Sequence, residues 1–108
     1  MRTLEEITDR IKEARDRYEL CKLSQVADQM EILRTLSICY HELDEYRIDA
    51  YNLYMDYYNK KDGSNPIKDK YASTKVPELY LLRRTMESTN LLIKAVISTL
   101  STAKQINS

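Results

Sequence analysis

The sequence predicts an all-α protein, and three observations support this. One glycine and two prolines occur in 108 residues, fewer turn residues than a sheet fold needs. Charged residues make up 31% of the chain, and good helix formers are plentiful. Apolar residues recur at alternating steps of three and four, the period of an amphipathic helix. We therefore expect residues 1–108 to form a single domain: a long antiparallel helical hairpin with coiled-coil-like packing and an additional N-terminal helix.

The first helix is expected over residues 4–21. Thr3, followed three residues later by Glu6, has the pattern of a capping box, in which the two residues satisfy each other's backbone N–H groups. One apolar stripe follows at helical spacing: Leu4, Ile7, Ile11, Ala14, Tyr18 and Cys21. This short amphipathic helix would lie alongside the hairpin.

The second helix is expected over residues 25–60, either capped by Ser24 or continuous with the first through a mild bend. Its apolar stripe has a mean spacing of about 3.4 residues, near that of a coiled coil. The stripe comprises Val26, Met30, Leu33, Leu36, Tyr40, Leu43, Tyr46, Ala50, Leu53 and Tyr57. A helix of this length usually needs a partner along its whole length.

The segment KKDGSNPIKDK is the clear break in the helical pattern. Gly63 suits a helix C-cap, and Asn65 and Pro66 suit an N-cap followed by proline at the first helical position. A third helix is therefore expected over residues 66–75, with Pro77 causing a kink or a short break after it. The fourth helix, residues 78–105, carries a heptad stripe that would pack antiparallel on the second helix. That stripe comprises Leu79, Leu82, Met86, Thr89, Ile93, Val96, Leu100 and Ala103.

The charges balance overall but are unevenly spread. Residues 1–63 carry 14 acidic and 10 basic side chains, whereas residues 64–108 carry 3 acidic and 7 basic ones. This asymmetry is compatible with head-to-tail self-association, an anion-binding C-terminal half or a merely solvated surface. No polybasic run occurs in the sequence, which argues against strong, salt-driven nucleic-acid binding by a monomer. An oligomer would multiply a weak basic patch.

Motifs of several function classes are missing from the sequence. It has no GxGxxG, GxSxG, P-loop or HExxH pattern, and its one histidine, His41, lies in mid-helix, where a solvent or interface position is favoured over a catalytic base. Cys21 and Cys39 with one distant histidine make no metal set. We expect a non-enzymatic protein without metal or cofactor. Its N-terminus is too charged for a signal peptide, and no apolar run could span a membrane, so we expect a cytoplasmic protein with reduced thiols.

Tyrosine supplies every aromatic ring of this chain apart from its histidine, since there are nine tyrosines and no Phe or Trp. Five of them fall within EYRIDAYNLYMDYYNKK. One helical face carries Tyr51, Tyr54 and Tyr58. A neighbouring face carries Tyr46, Ala50, Leu53 and Tyr57. A single partner helix cannot cover both faces, so one of them serves either as a subunit interface, where tyrosine is enriched, or as a platform on which single-stranded nucleic acid stacks.

The stretch LYMDYYNKKDG, followed by DKYASTKV and a final amphipathic helix, resembles the UvsY-like recombination mediators of T-even bacteriophages. The resemblance covers about residues 45–104. Members of that family are small helical proteins that form ring-like homo-oligomers, bind single-stranded DNA and help load recombinase onto strands coated by single-strand-binding protein. The cations that the family places just upstream of this segment fall on Asn52 and Tyr54 here, and Lys60 and Lys61 would take their place.

Residues and resemblance together predict a DNA-recombination accessory protein that binds single-stranded DNA as a homo-oligomer. The DNA would be held by Tyr54, Tyr58, Lys60, Lys61, Lys68 and Lys70, with the tyrosines stacking on bases. The interface with other copies or partners would comprise Tyr46, Tyr51, Tyr57, Leu79, Leu82, Met86 and Ile93. The alternative is a small helical interaction protein, an adaptor or inhibitor, that presents the tyrosine-rich face to another protein.

Overall fold

The computed structural model describes residues 1–107, with side chains for residues 1–105. Over that range the chain forms four helices and no strand, which confirms the predicted all-α class. The helices are α1 (Leu4–Leu20), α2 (Val26–Lys60), α3 (Asn65–Lys75) and α4 (Glu78–Asn107).

Helix α2 is the centre of the molecule, and the other three helices pack on it. Helix α4 runs antiparallel to α2, so that Val26 at the start of α2 lies beside Leu100 near the end of α4. This arrangement confirms the predicted long helical hairpin. The molecule is elongated, at 61 × 26 × 17 Å with a radius of gyration of 18.1 Å. A compact domain of the same length would have a radius of about 13 Å.

Helix α1 lies along α2 in the opposite direction and is joined to it by ion pairs at both ends. The guanidinium of Arg2 is 2.9 Å from Glu42, and that of Arg17 is 3.7 Å from Glu31. Helix α1 also reaches α4, where the Tyr18 hydroxyl lies 2.7 Å from the Thr99 hydroxyl. Two long helices and the N-terminal helix therefore share one continuous core.

The core confirms the stripe predicted for α4 and corrects the one predicted for α2. All eight stripe positions of α4 are buried or half-buried. In α2, however, Met30 and Leu53 are 54% and 44% exposed, whereas Gln29, Ile32 and Cys39 are fully enclosed. The reason is that α2 lies between two partners, α1 and α4, so its buried arc is wider than the single seam that a coiled-coil period describes.

The first two helices begin at different kinds of cap. The Glu6 N–H donates to the Thr3 hydroxyl at 3.2 Å, as the capping-box pattern predicts for α1. Ser24 does not cap α2, which begins after Gln25, and the chain turns sharply instead of bending. The buried Gln29 holds this turn, since its side-chain amide donates to the carbonyls of residues 22 and 23 at 2.9 and 3.3 Å.

The connection from α2 through α3 to α4 places the short third helix beside the last turns of α2. Helix α2 ends at Lys60, and Gly63 lies in the loop beyond the C-cap residue, where its φ of +123° requires glycine. Helix α3 begins at Asn65, one residue earlier than predicted, so Pro66 is its second residue. Between α3 and α4 the chain is broken, not kinked, with the buried Val76 closing the end of α3.

Candidate nucleic-acid interface

Three tyrosines of α2 form a stacked row on one helical face. The ring centroids of Tyr51 and Tyr54 are 6.2 Å apart with the ring planes 21° from parallel, and those of Tyr54 and Tyr58 are 6.1 Å apart at 32°. Spacings of three and four residues predict this shared face, and the structure adds that the rings contact one another. We call these residues the tyrosine row.

Helix α3 binds the hydroxyl ends of two rings in the tyrosine row. The Tyr54 hydroxyl donates to the carboxylate of Asp69, and the Tyr58 hydroxyl donates to the side-chain oxygen of Asn65 at 2.9 Å. The hydrogen bond to the Asp69 carboxylate, which stabilises the neutral phenol, raises the pKa of Tyr54 to about 12. The tyrosine spacing predicts that one tyrosine face of α2 contacts something outside the hairpin. Helix α3 of the same chain supplies part of that contact.

The neighbouring tyrosine face of α2 is also engaged within the chain. Tyr57 packs on the core and meets the ring of Tyr71 of α3 edge-on, with centroids 6.1 Å apart. The Tyr46 hydroxyl donates to the backbone carbonyl of Arg2 at 2.7 Å. Leu53, grouped with them by spacing, points to solvent. Tyr46 and Tyr57 thus bind the N-terminal segment and α3, and both side chains are half-buried.

The tyrosine row forms one wall of a groove of about 500 Å³ between α2, α3 and the start of α4. We call it the tyrosine groove. Tyr80 and Arg83 of α4 line the opposite wall. Tyr80 is 63% exposed and Tyr51 39% exposed, so both side chains keep open surface, although Tyr51 stacks on Tyr54 and Arg84 lies over Tyr80. Asp69 supplies the acidic side chain among the lining residues, and its carboxylate accepts the hydrogen bond from Tyr54.

A second cluster of tyrosines and lysines lies on the other side of α3. By helical register, Tyr71 and Lys75 point away from the side of α3 that lines the groove. The ammonium groups of Lys61 and Lys75 lie 5.1 and 5.7 Å from the centre of the Tyr71 ring, and that of Lys60 lies 6.0 Å from Tyr57. These distances fall within the range of cation–π contacts. We call Tyr57, Tyr71, Lys60, Lys61 and Lys75 the lysine–tyrosine patch.

The remaining two predicted cations differ in their surroundings. Lys68 lies at the end of the tyrosine row, with its ammonium 5.5 Å from the centre of the Tyr58 ring. Lys70 is exposed and meets no aromatic ring of the described residues. None of the predicted phosphate-binding lysines forms an ion pair within the described part of the chain, so no carboxylate there neutralises their charges. Residues 51–84 carry seven basic and four acidic side chains, which makes this end of the molecule positive.

The predicted interface residues of α4 belong to the core of the single chain. Leu79, Leu82 and Met86 are 4–7% exposed, and Ile93 is half-buried against the same core. Leu79, Leu82 and Met86 are therefore core positions, because their apolar surface is already covered within the single chain, whereas Ile93 keeps part of its surface. Tyr51 keeps open surface at the mouth of the tyrosine groove.

Sequence reasoning missed residues of both the tyrosine groove and the lysine–tyrosine patch. Tyr80 and Arg83 of the groove, and Tyr71 and Lys75 of the patch, were not predicted as site residues. The signal for Tyr80 is its spacing: Arg84 lies one turn later, with its guanidinium 5.8 Å from the Tyr80 ring centre. No comparable signal marks Tyr71, whose contact with Tyr57 depends on how α3 folds back.

His41 is exposed on α2, with its ring 6.3 Å from that of Tyr40 and outside the grooves described here. Within residues 1–107 no three His, Cys, Asp or Glu side chains are placed to hold a metal ion. No helix in that range combines the length and apolar character that crossing a membrane requires.

Comparison with known proteins gives no relative, because no protein-family model, no curated protein and no solved structure matches this chain.

Proposed function

We propose that this chain is a non-enzymatic accessory protein of DNA recombination that binds single-stranded DNA. The observation that carries the proposal is the tyrosine groove, which is lined by the exposed Tyr51 and Tyr80 and by Arg83, whose guanidinium forms no ion pair with any described residue. Proteins that bind single strands without sequence preference combine aromatic rings for the bases with cations for the backbone. A groove of this composition supports that mode of binding.

The roles within the site differ from those expected from sequence. Tyr54 and Tyr58 have their hydroxyls bound to α3 and their rings stacked on each other, so they support the groove wall. Tyr51, at the end of the tyrosine row, and Tyr80 expose more surface, and their outer ring faces are the ones that would stack on bases. Arg83 would contact a phosphate there, and the lysine–tyrosine patch would attract the strand through its uncompensated positive charge.

The test is the affinity for a fluorescently labelled oligothymidylate, measured by anisotropy over a range of salt concentrations. Each base stacked on an aromatic ring contributes about 1–3 kcal/mol, so Tyr80→Ala should weaken binding by about 5- to 150-fold. Tyr80→Phe keeps the ring and should bind as the wild type does. Leu91→Ala, an equally exposed position elsewhere on α4, is the matched control.

Two results would overturn the proposal. One is the absence of oligothymidylate binding by the correctly assembled protein at low salt, where phosphate contacts are strongest. The other is equal affinity of Tyr80→Ala and Leu91→Ala, since the groove would then contribute no stacking. Duplex DNA of the same length should compete poorly, because its bases are not free to stack on a side chain.

We further propose that the chain acts as a homo-oligomer in the cytoplasm, where it would work with a recombinase and a single-strand-binding protein. The resemblance described above supports these partners, and the two free cysteines suit a reducing compartment. Self-association would use apolar surface that the single chain leaves open. Met30 of α2 and Ile97 of α4 supply such surface, at 54% and 48% exposure. Sedimentation velocity of Met30→Glu against wild type tests this, with unchanged mass contradicting it.

The second candidate function is the binding of a protein partner at the tyrosine groove. The observation that favours it is the pair of neighbouring exposed side chains Tyr80 and Leu81, since large apolar and aromatic side chains mark protein interfaces. In this case a specific protein should co-purify with the wild type, and Tyr80→Ala should abolish the association without changing the assembly mass. Loss of co-purification without loss of oligothymidylate binding would favour this function over the first.

A further inference from the structure

A second groove, of about 490 Å³, lies between α1 and the first half of α4. Its charged side chains are all basic: Lys12 and Arg15 come from α1, and Arg84 comes from α4. We call them the groove cations. Hydroxyl groups, including those of Thr8 and Ser88, also line the groove, and none of its lining residues is acidic.

The groove cations differ in their ion pairing from the other basic residues in and just before α1. On the side of α1 that faces α2, Arg2 and Arg10 lie 2.9 and 4.0 Å from Glu42, and Arg17 lies 3.7 Å from Glu31. The groove cations form no ion pair with any described residue. Like charges that two facing helices bring into one groove repel each other. An anion between them would remove that repulsion.

Two contacts hold groove cations in place before any ligand binds. The guanidinium of Arg15 donates to the Ser88 hydroxyl across the groove at 3.1 Å. Arg84 lies over the ring of Tyr80 at 5.8 Å. Arg84 directly follows Arg83, which lines the tyrosine groove, so the two grooves lie on adjacent sides of α4. A strand that leaves the tyrosine groove over Tyr80 meets Arg84 next.

We propose that the groove between α1 and α4 binds phosphate groups of the same single strand, and that the strand crosses α4 over Tyr80. This rests on the proposed function, and it adds a second segment to the path of the nucleic acid. The bases of one segment stack in the tyrosine groove. The backbone of the next segment is held by Lys12, Arg15 and Arg84, with the Ser88 hydroxyl, which accepts from Arg15, as a further hydrogen-bond donor.

The experiment compares oligothymidylates of increasing length on the full-length protein and on the double variant Lys12→Gln/Arg15→Gln. Each phosphate contact to a single strand contributes about 0.7 to the slope of log affinity against log salt. The variant should therefore lose about 1.4 from that slope and bind long oligothymidylates about 25-fold more weakly at about 0.1 M salt. The shortest oligothymidylates, which fill the tyrosine groove alone, should bind both proteins equally.

The matched control is Arg34→Gln/Lys94→Gln, which removes the same charge from exposed positions outside both grooves. Circular dichroism should show unchanged folding in both double variants. Ser88→Ala, which removes the hydroxyl that Arg15 binds, should give a smaller loss of affinity for long oligothymidylates. Equal affinity of Lys12→Gln/Arg15→Gln and wild type for every length would overturn the second segment and leave the proposed function standing. An equal loss in the control would also overturn it. Failure of the wild type to bind any length would refute the proposed function itself.

Discussion

The hydrogen bond from Tyr54 to Asp69 is the contact that most directly tests how α3 is held against the tyrosine row. The substitution Tyr54→Phe removes the hydroxyl and keeps the ring, so stacking with Tyr51 and Tyr58 is preserved. Hydrogen bonds to charged acceptors contribute about 1.5–3 kcal/mol. Both partners lie near the surface, where solvent screens the interaction, and we therefore expect a loss of about 1 kcal/mol in the free energy of unfolding.

The pH dependence of this loss is specific to the proposed contact. The hydrogen bond to Asp69 raises the pKa of Tyr54 from 10.0 to about 12, with burial as a smaller cause. A phenol whose pKa is raised by folding stabilises the protein fully below pH 10, its unfolded value, and this contribution is lost as the pH rises through 12. Two pH units correspond to about 2.7 kcal/mol, an upper bound that screening reduces to about 1 kcal/mol.

Urea unfolding followed by circular dichroism measures the difference between Tyr54→Phe and wild type. We expect about 1 kcal/mol at pH 7 and a difference that shrinks between pH 10 and pH 12. Tyr51→Phe is the control, because the Tyr51 hydroxyl makes no hydrogen bond with the described residues. Equal stability of Tyr54→Phe and wild type at pH 7 would refute the reasoning, as would a difference that persists undiminished to pH 12.

Two further predictions concern the fold that positions the site. Leu36 of α2 is completely buried between α1 and α4. Leu36→Ala should therefore lower the free energy of unfolding by about 3–4 kcal/mol in a urea titration. A loss below about 1 kcal/mol would mean that Leu36 is not a core residue. Gly63→Ala should lower the melting temperature, because φ is +123° there and a Cβ would lie 3.3 Å from the Ile67 side chain. An unchanged or higher melting temperature would contradict that backbone conformation.

The period of the apolar residues predicted the buried positions well for α4, which has one main partner. It predicted them less well for α2, which has two. The heptad stripe of α4 is buried throughout because α2 alone covers most of it. Helix α2 must present one face to α4 and another to α1, and no single period describes both. Gln29 shows the remaining difficulty: its polarity predicts a surface position, yet it is enclosed because its amide binds carbonyls of the turn before α2.

The site was predictable only as far as it depends on local spacing. Tyr51, Tyr54 and Tyr58 share a face because of the helical period alone. Their partners in α3 could not be derived, since a short loop that contains a left-handed glycine sets the direction in which α3 returns along α2. The opposite wall, with Tyr80 and Arg83, depends on the break before α4, whose position is predictable from Pro77 but whose angle is not.

Helix α3 makes stability and ligand affinity separable at this site. An isolated helix of 11 residues is marginal in water, so α3 is held by its docking on α2. If docking is favoured by about 2 kcal/mol, removing about 1 kcal/mol with Tyr54→Phe lowers the docked fraction from about 97% to about 84%. Affinity for a strand that requires the docked state then falls by only about 1.2-fold. Tyr80→Ala should weaken strand binding and leave the free energy of unfolding nearly unchanged, because the exposed Tyr80 ring contributes little to folding. Should Tyr54→Phe instead weaken binding tenfold, the hydroxyl itself would contact the strand, and α3 would have to move aside to expose it.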